Sequence, residues 1–183
     1  MSVPFLPVTC HITTNSSNGK ASFHPTSSTN SNVVTPESSL AYIYSAENPI
    51  SLFNNQDLPA HISASNISPL PLFPKTLFPA HGGSVFIIVD HQPNPDDKSG
   101  VMHRTQTLDY AIVLSGEVEL LLDSGEKRVC KAGDCVIQRA TIHAWKNLSK
   151  TEVARMAFVI QSCEKVVVDG KEFGEDLSGS KGG

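Results

Sequence analysis

The sequence predicts an all-β domain, a small sandwich or barrel, and three observations predict it. From residue 83 onward, short apolar runs of strand length recur about every 8–12 residues. Turn residues separate them, at Ser115-Gly116, Asp123-Ser124-Gly125-Glu126 and Ala132-Gly133-Asp134. No long stretch carries the 3.6-residue apolar period of an amphipathic helix. With 183 residues, 39% hydrophobic and 17% charged, the chain suits one domain with a sizeable core and an appended arm.

Taken in order, residues 1–75 are rich in Ser, Asn, Thr and Pro and read as an arm of short strands and polar loops. Residues 8–14 and 20–24 flank the turn-forming cluster 15–19, which predicts a hairpin. Residues 26–36 read as a polar loop, 40–44 as a strand and 50–53 as a weaker one. Residues 58–65 read as a strand or a sheet edge. The prolines of 69–74 make that stretch an extended connector. A barrel is expected over residues 76–168, with strands at 84–90, 107–114, 117–122, 127–130, 135–139, 141–147, 153–160 and 164–168. The Gly-, Ser- and charge-rich stretch 169–183 reads as a frayed tail.

Composition excludes several classes. A formal charge of -4 and a pI near 5.9 argue against nucleic acid as a partner, which calls for a basic stripe. No apolar run approaches the roughly 18–20 residues needed to cross a bilayer, so no membrane partner is expected. The opening residues carry prolines and no basic start, unlike a secretory signal. Cys10, Cys130, Cys135 and Cys163 are scattered and read as reduced, mostly buried thiols. A soluble cytoplasmic protein is the expectation. No Gly-x-Gly-x-x-Gly is present, so no nucleotide cofactor is expected.

The chemistry concentrates near residue 105. His103 and Asp109 are six apart, an even spacing, so on an extended strand they share a face with Thr105. Tyr110, Ile112 and Leu114 then point to the other face, and Tyr110 reads as packing. A strand that gathers an imidazole and an acid on one face needs a reason, because an unpaired buried carboxylate is costly.

The order of a His-bearing strand, a Gly turn, a Gly-Asp turn and a second His strand resembles the cupin family. That fold is a double-stranded β-helix, or jelly-roll barrel. The first motif reads His103, Thr105, Asp109 and Gly116; the second reads Gly133-Asp134, His143 and Asn147. Residues Gln138-Arg139-Ala140-Thr141 depart from the family's usual Pro-x-Gly. The two motifs together are similar to a narrower branch of small cupins, whose fungal members look like tailoring proteins of polyketide and related clusters. The resemblance is strong over about residues 80–165.

The resemblance implies a site. The usual cupin metal set of three His and one Glu is reduced here to His103, Asp109 and His143, with Thr105 in place of the middle His. Two imidazoles and a carboxylate suit Fe, Mn or Zn. Alternatively Asp109 pairs with Arg104 or Arg139, and Asp109 and His143 work as a metal-free acid–base pair. Arg139 either clamps a substrate carboxylate or phenolate or seals a strand end. Gln138 and Thr105 are candidate substrate contacts. Trp145 shares strand parity with His143 and either stacks on an aromatic substrate or packs the core. His11, His24, His61, His81 and His91 read as solvated.

The expected activity is dehydration, decarboxylation or isomerisation of a small polyketide-like substrate, metal-assisted or by acid–base catalysis. The alternatives are an Fe(II)- and oxygen-dependent oxidoreductase and a non-catalytic ligand-binding protein. Open jelly rolls leave sheet edges to be covered, and an arm of this length predicts a homodimer.

Overall fold

The computed structural model describes residues 7–24, 28–29, 33–34, 37–58 and 82–181. Fifteen strands occur among them: β1 (Val8–Thr9), β2 (Thr13–Asn15), β3 (Ala21–Phe23), β4 (Ser28–Thr29), β5 (Val33–Val34), β6 (Ser38–Ala46), β7 (Ser84–His91) and β8 (Thr107–Ser115), then β9 (Glu117–Leu122), β10 (Lys127–Lys131), β11 (Cys135–Arg139), β12 (His143–Asn147), β13 (Ala154–Ser162), β14 (Val166–Val168) and β15 (Lys171–Phe173).

Every pairing is antiparallel. One sheet runs β11-β8-β13-β7-β6-β5 and a second runs β10-β9-β12. From β8 to β13 the chain passes back and forth between these two sheets, which makes the jelly-roll barrel. Gly116 makes the first crossing at φ +79, where an added Cβ would stand 2.9 Å from the Ala154 backbone. The crossing from β11 to β12 uses Ala140 at φ +51, a left-handed conformation that costs a non-glycine about 1–2 kcal/mol. Its N–H donates to the Thr107 carbonyl at 3.0 Å, which holds the turn.

Alternation along each strand sends one set of side chains between the sheets. Tyr42, Val85, Ile87, Met156, Phe158 and Ile160 from the large sheet meet Val118, Leu120, Cys130 and Trp145 from the small one. The large sheet also packs a second cluster, of Ala41, Ile43, Ile88 and Ala157, on which Val8, Cys10 and Phe86 lie. Nearby, Arg155 donates through Nε and Nη2 to the two oxygens of the buried Asp90, both at 2.6 Å.

Several expectations need correction. The hairpin at 8–24 forms, through β2 and β3. Residues 26–36 are not only loop, since they contain β4 and β5. Residues 50–53 form no strand; a 3-10 turn covers Phe53–Asn55 instead. β6, read as part of an arm, hydrogen-bonds β7 along its length and is integral to the large sheet. Tyr110 does not pack inward and is 43% exposed. The stretches 59–65 and 69–74, and the boundary near 75, lie outside the described residues.

The stretch read as a frayed tail is ordered through Lys181. β14 and β15 form a hairpin over Asp169-Gly170, both at positive φ, as a two-residue turn of this kind requires. Asp176 then exchanges backbone hydrogen bonds with Arg104, at 2.7 and 2.9 Å. The Arg104 guanidinium lies 5.0 Å from the Phe173 ring centroid. Gly179 sits so close to Met102 that an added Cβ would stand 2.2 Å from its carbonyl oxygen. The C-terminal stretch is therefore pinned to both neighbours of His103.

Candidate functional site

Between the sheets lies a cavity of about 450 Å³. Strand alternation places its walls. β12 contributes His143, Trp145 and Asn147; β13 contributes Phe158 and Ile160; β7 contributes Ile87, Val89 and His91; β8 contributes Asp109. His103 and Thr105 enter from the segment before β8, and residues 93–96 and 98–101 form the rim.

His103 and His143 face each other across an isolated antiparallel bridge, with backbone hydrogen bonds of 2.9 and 3.0 Å. Their ring centroids are 4.5 Å apart. Each Nδ1 lies against a carbonyl oxygen, Val101 at 2.9 Å for His103 and Thr141 at 3.0 Å for His143. A carbonyl only accepts, so Nδ1 carries the proton in both neutral rings and Nε2 is the acceptor nitrogen. Burial lowers the pKa of His103, against a rise from its carbonyl partner. His143 falls to about 4, through burial first and then the nearby His103. Both imidazoles are neutral at pH 7.

Asp109 is buried, and its Oδ1 has no hydrogen-bond partner. Burial raises its carboxyl to about 6, while a hydrogen bond from the Thr107 hydroxyl pulls the other way. Thr105 and Thr107 hydroxyls are 2.6 Å apart, so a short line of hydroxyls leads to the acid. Neither Arg104 nor Arg139 forms an ion pair with Asp109.

Asp109, His103, Thr105, His143 and Trp145 thus line one cavity: alternation on β12 aligns Trp145 with His143, while His103 and Thr105 lie before β8 and arrive through the bridge between His103 and His143. Trp145 also packs: its ring meets His143 and Phe158 edge to face, each at 6.0 Å. Two expected contacts do not reach the cavity. Arg139 is exposed, because alternation on β11 turns it away from buried Gln138. Gln138 spends its amide N–H on the carbonyl and hydroxyl of Thr141, closing the Ala140 turn.

His91 corrects the sequence reading most. The sequence makes it solvated, but it is half-buried, lines the cavity, and has an Nε2 sealed from solvent without a hydrogen-bond partner. Burial drops its pKa to about 4, against a smaller rise from Asp90. The available signal was parity, since 87, 89 and 91 continue one face of the run that starts at Ser84. Asn147 fastens the same end. Its Nδ2 reaches the carbonyls of His91 and Gln92, both at 3.0 Å, and of Glu152 at 2.8 Å.

The imidazole pair has the tautomer a metal ligand needs, with Nδ1 held by a carbonyl. The third donor does not join it. Among the described residues no group of three His, Cys, Asp or Glu side chains gathers closely enough to hold a metal ion. As arranged, the residues do not fit a three-ligand metal centre. No helix among them is long and apolar enough to cross a membrane.

No family model matches the chain. It is similar to phomopsin biosynthesis cluster protein D of Diaporthe leptostromiformis, at 40% identity over 135 residues, covering 74% of this chain and 66% of that one. It is also similar to the cupin-domain-containing oxidoreductase virC of Hypocrea virens, at 35% identity over 170 residues, covering 90% and 81%. Oryzines biosynthesis cluster protein J of Aspergillus oryzae is 43% identical over 96 residues, or 52% of each chain. The chain therefore spans just under two thirds of the phomopsin relative and about half of the oryzines relative. Among solved structures, the polyketide cyclase RemF from Streptomyces resistomycificus aligns with a TM-score of 0.45 at 14% identity, covering 78% of this chain and 72% of that one.

Proposed function

The chain belongs to the cupin-domain family, and from that membership we propose that it is a tailoring enzyme acting by proton transfer on a small, neutral, carbonyl-containing natural-product intermediate of polyketide type. One observation carries the reading: a buried carboxyl, held up to about 6 by desolvation, and two neutral imidazoles line the same largely apolar cavity. A carboxyl raised toward neutral pH and an imidazole that is unprotonated at pH 7, lining one space, are the acid and the base that proton transfer needs. The cluster names of the phomopsin and oryzines relatives support a place in secondary metabolism.

In this reading the His143 Nε2 removes a proton from the carbon beside the substrate carbonyl. The protonated form of Asp109 donates to the departing β-hydroxyl, water leaves, and a conjugated double bond forms. Return of the proton to a different carbon instead gives isomerisation. The Thr107 hydroxyl, itself hydrogen-bonded to Thr105, holds the Asp109 carboxyl. Trp145 and Phe158 exclude water and present ring faces and edges to the substrate body.

The test is solvent exchange. A β-hydroxy ketone incubated with the protein in D2O is expected to take up deuterium beside its carbonyl, read by NMR. His143→Ala is expected to slow that uptake by about 100-fold or more. Quenching of Trp145 fluorescence without any uptake, unchanged by His143→Ala, would sink the enzymatic reading in favour of a ligand-holding protein. An oxidoreductase reading is favoured by the name of the Hypocrea virens relative. Oxygen consumption with stoichiometric iron, in protein purified without chelator, would decide for it.

We also propose a homodimer. Tyr110, Ile112, Leu114, Ile137 and Val159 leave an apolar row exposed on the outer face of β8, β11 and β13, and β11 is a sheet edge. Light scattering is expected to give twice the chain mass, falling to one chain in Ile112→Glu. A monomeric parent protein overturns it.

A further inference from the structure

In the proposed chemistry His143 takes up a proton at Nε2, so its own proton must sit on Nδ1. That arrangement depends on one oxygen, the Thr141 carbonyl, 3.0 Å from Nδ1. Thr141 lies in the turn between β11 and β12, where no sheet ladder orients its peptide. The turn does not hold itself either. Ala140, just before it, adopts φ +51, which is unfavourable for a residue with a side chain.

Gln138 supplies what the turn lacks. Its Nε2 donates to the Thr141 carbonyl at 3.2 Å and to the Thr141 hydroxyl. A carbonyl only accepts, so the amide nitrogen of Gln138, and not its oxygen, must face this residue. The two amide hydrogens thus fix both oxygens of Thr141, and the two lone pairs of the carbonyl go to Gln138 and His143. Gln138 is buried, so packing keeps its amide in one place. The rings of His103 and Trp145 confine the His143 ring, but neither decides which nitrogen carries the proton.

We infer that Gln138 is a positioning residue: by holding the Thr141 carbonyl against Nδ1, it keeps His143 in the tautomer whose Nε2 accepts a proton. This rests on the proposed function for what Nε2 then does, but not for which nitrogen is protonated. Gln138 also stands opposite Asp109 in the register of β11 and β8. Turnover alone therefore does not separate an effect on the base from one on the acid, whereas the tautomer does.

The test is nitrogen NMR of the imidazoles at pH 7, with the His143 signals assigned by their loss in His143→Ala. The parent protein is expected to show a protonated Nδ1 and a bare Nε2. Gln138→Met keeps the length of the side chain and removes both donors. It is expected to move the two His143 nitrogens toward a common averaged shift. The nitrogens of His103, fixed by the Val101 carbonyl, are expected to stay where they are. Deuterium uptake is expected to fall about five- to tenfold, the worth of one hydrogen bond, with KM unchanged.

Ala140→Gly, added to Gln138→Met, separates positioning from stability, since glycine adopts this φ without strain. The double variant is expected to regain stability in urea but not the tautomer. Recovery of both together overturns the inference, as do His143 nitrogens that Gln138→Met leaves unchanged, or a parent protein protonated at Nε2. A tautomer that follows Gln138 in a protein inert to β-hydroxy ketones would keep the inference and remove the proposed reaction.

Discussion

Replacing Asp109 by Asn is expected to stabilise the protein above pH 6 and to flatten one part of its pH dependence. The folded state raises this carboxyl from 3.8 to about 6, chiefly by burial. Between those values the folded chain binds more protons than the unfolded one, so stability falls as pH rises through that window. Below pH 3.8 the group contributes nothing; above about 6 the whole cost of holding a buried carboxylate is present. At about 1.4 kcal/mol per pH decade the interval corresponds to about 3 kcal/mol. His91 and His143, both held near pH 4, act in the same range with the opposite sign, losing stability as pH falls from 6.5 toward 4. Neither shift has Asp109 among its causes, so those contributions cancel when variant and parent are compared. The assay is urea unfolding at pH 4, 5, 6, 7 and 8 for both proteins. The difference is expected to grow from near zero at pH 4 to about 3 kcal/mol at pH 7. A difference that stays flat across the series, or Asp109→Asn that is less stable at pH 7, would refute a burial cost that outweighs the Thr107 hydrogen bond.

Two further outcomes follow from the fold. Arg139→Ala removes an exposed side chain on the outer side of β11, so stability is expected to stay within about 0.5 kcal/mol and deuterium uptake unchanged; a tenfold loss of uptake would return Arg139 to the site. Gly100→Ala would put a Cβ 2.0 Å from the Trp145 carbonyl oxygen. The rim must then move, at about 2 kcal/mol, which by calorimetry is about 6 °C in Tm at about 3 °C per kcal/mol for a chain of this size.

What was legible in the sequence was whatever two-residue alternation could carry. The even spacings among His143, Trp145 and Asn147 put that set on one inward face of β12; His103 and Thr105 precede β8, and the bridge to His143 rather than alternation brings them beside Asp109. The same rule, pressed harder, separates Gln138 from Arg139, since adjacent strand residues cannot both face the cavity; motif position obscured that. His91 was hidden for a different reason. β7 is apolar on both sides, because Val8 and Cys10 pack on the sheet face that Phe86 and Ile88 occupy, and a run without alternation does not reveal which side is the interior. Tyr110 failed in reverse. Its outward face is apolar but uncovered, and composition cannot distinguish a face packed by another element from one left bare. The Asp169-Gly170 turn was in plain view as a hairpin signal, but the charge around it suggested a solvated end.

The exchange of backbone hydrogen bonds between Arg104 and Asp176 ties the stretch after β15 to the residue beside His103. Occupancy of the interior should therefore be legible from outside. The Asp176 amide would exchange its hydrogen more slowly when a bound molecule steadies His103. Enzymatic digestion back to Phe173 would take away that rung and loosen the first imidazole of the pair, although no residue facing the cavity had been cut.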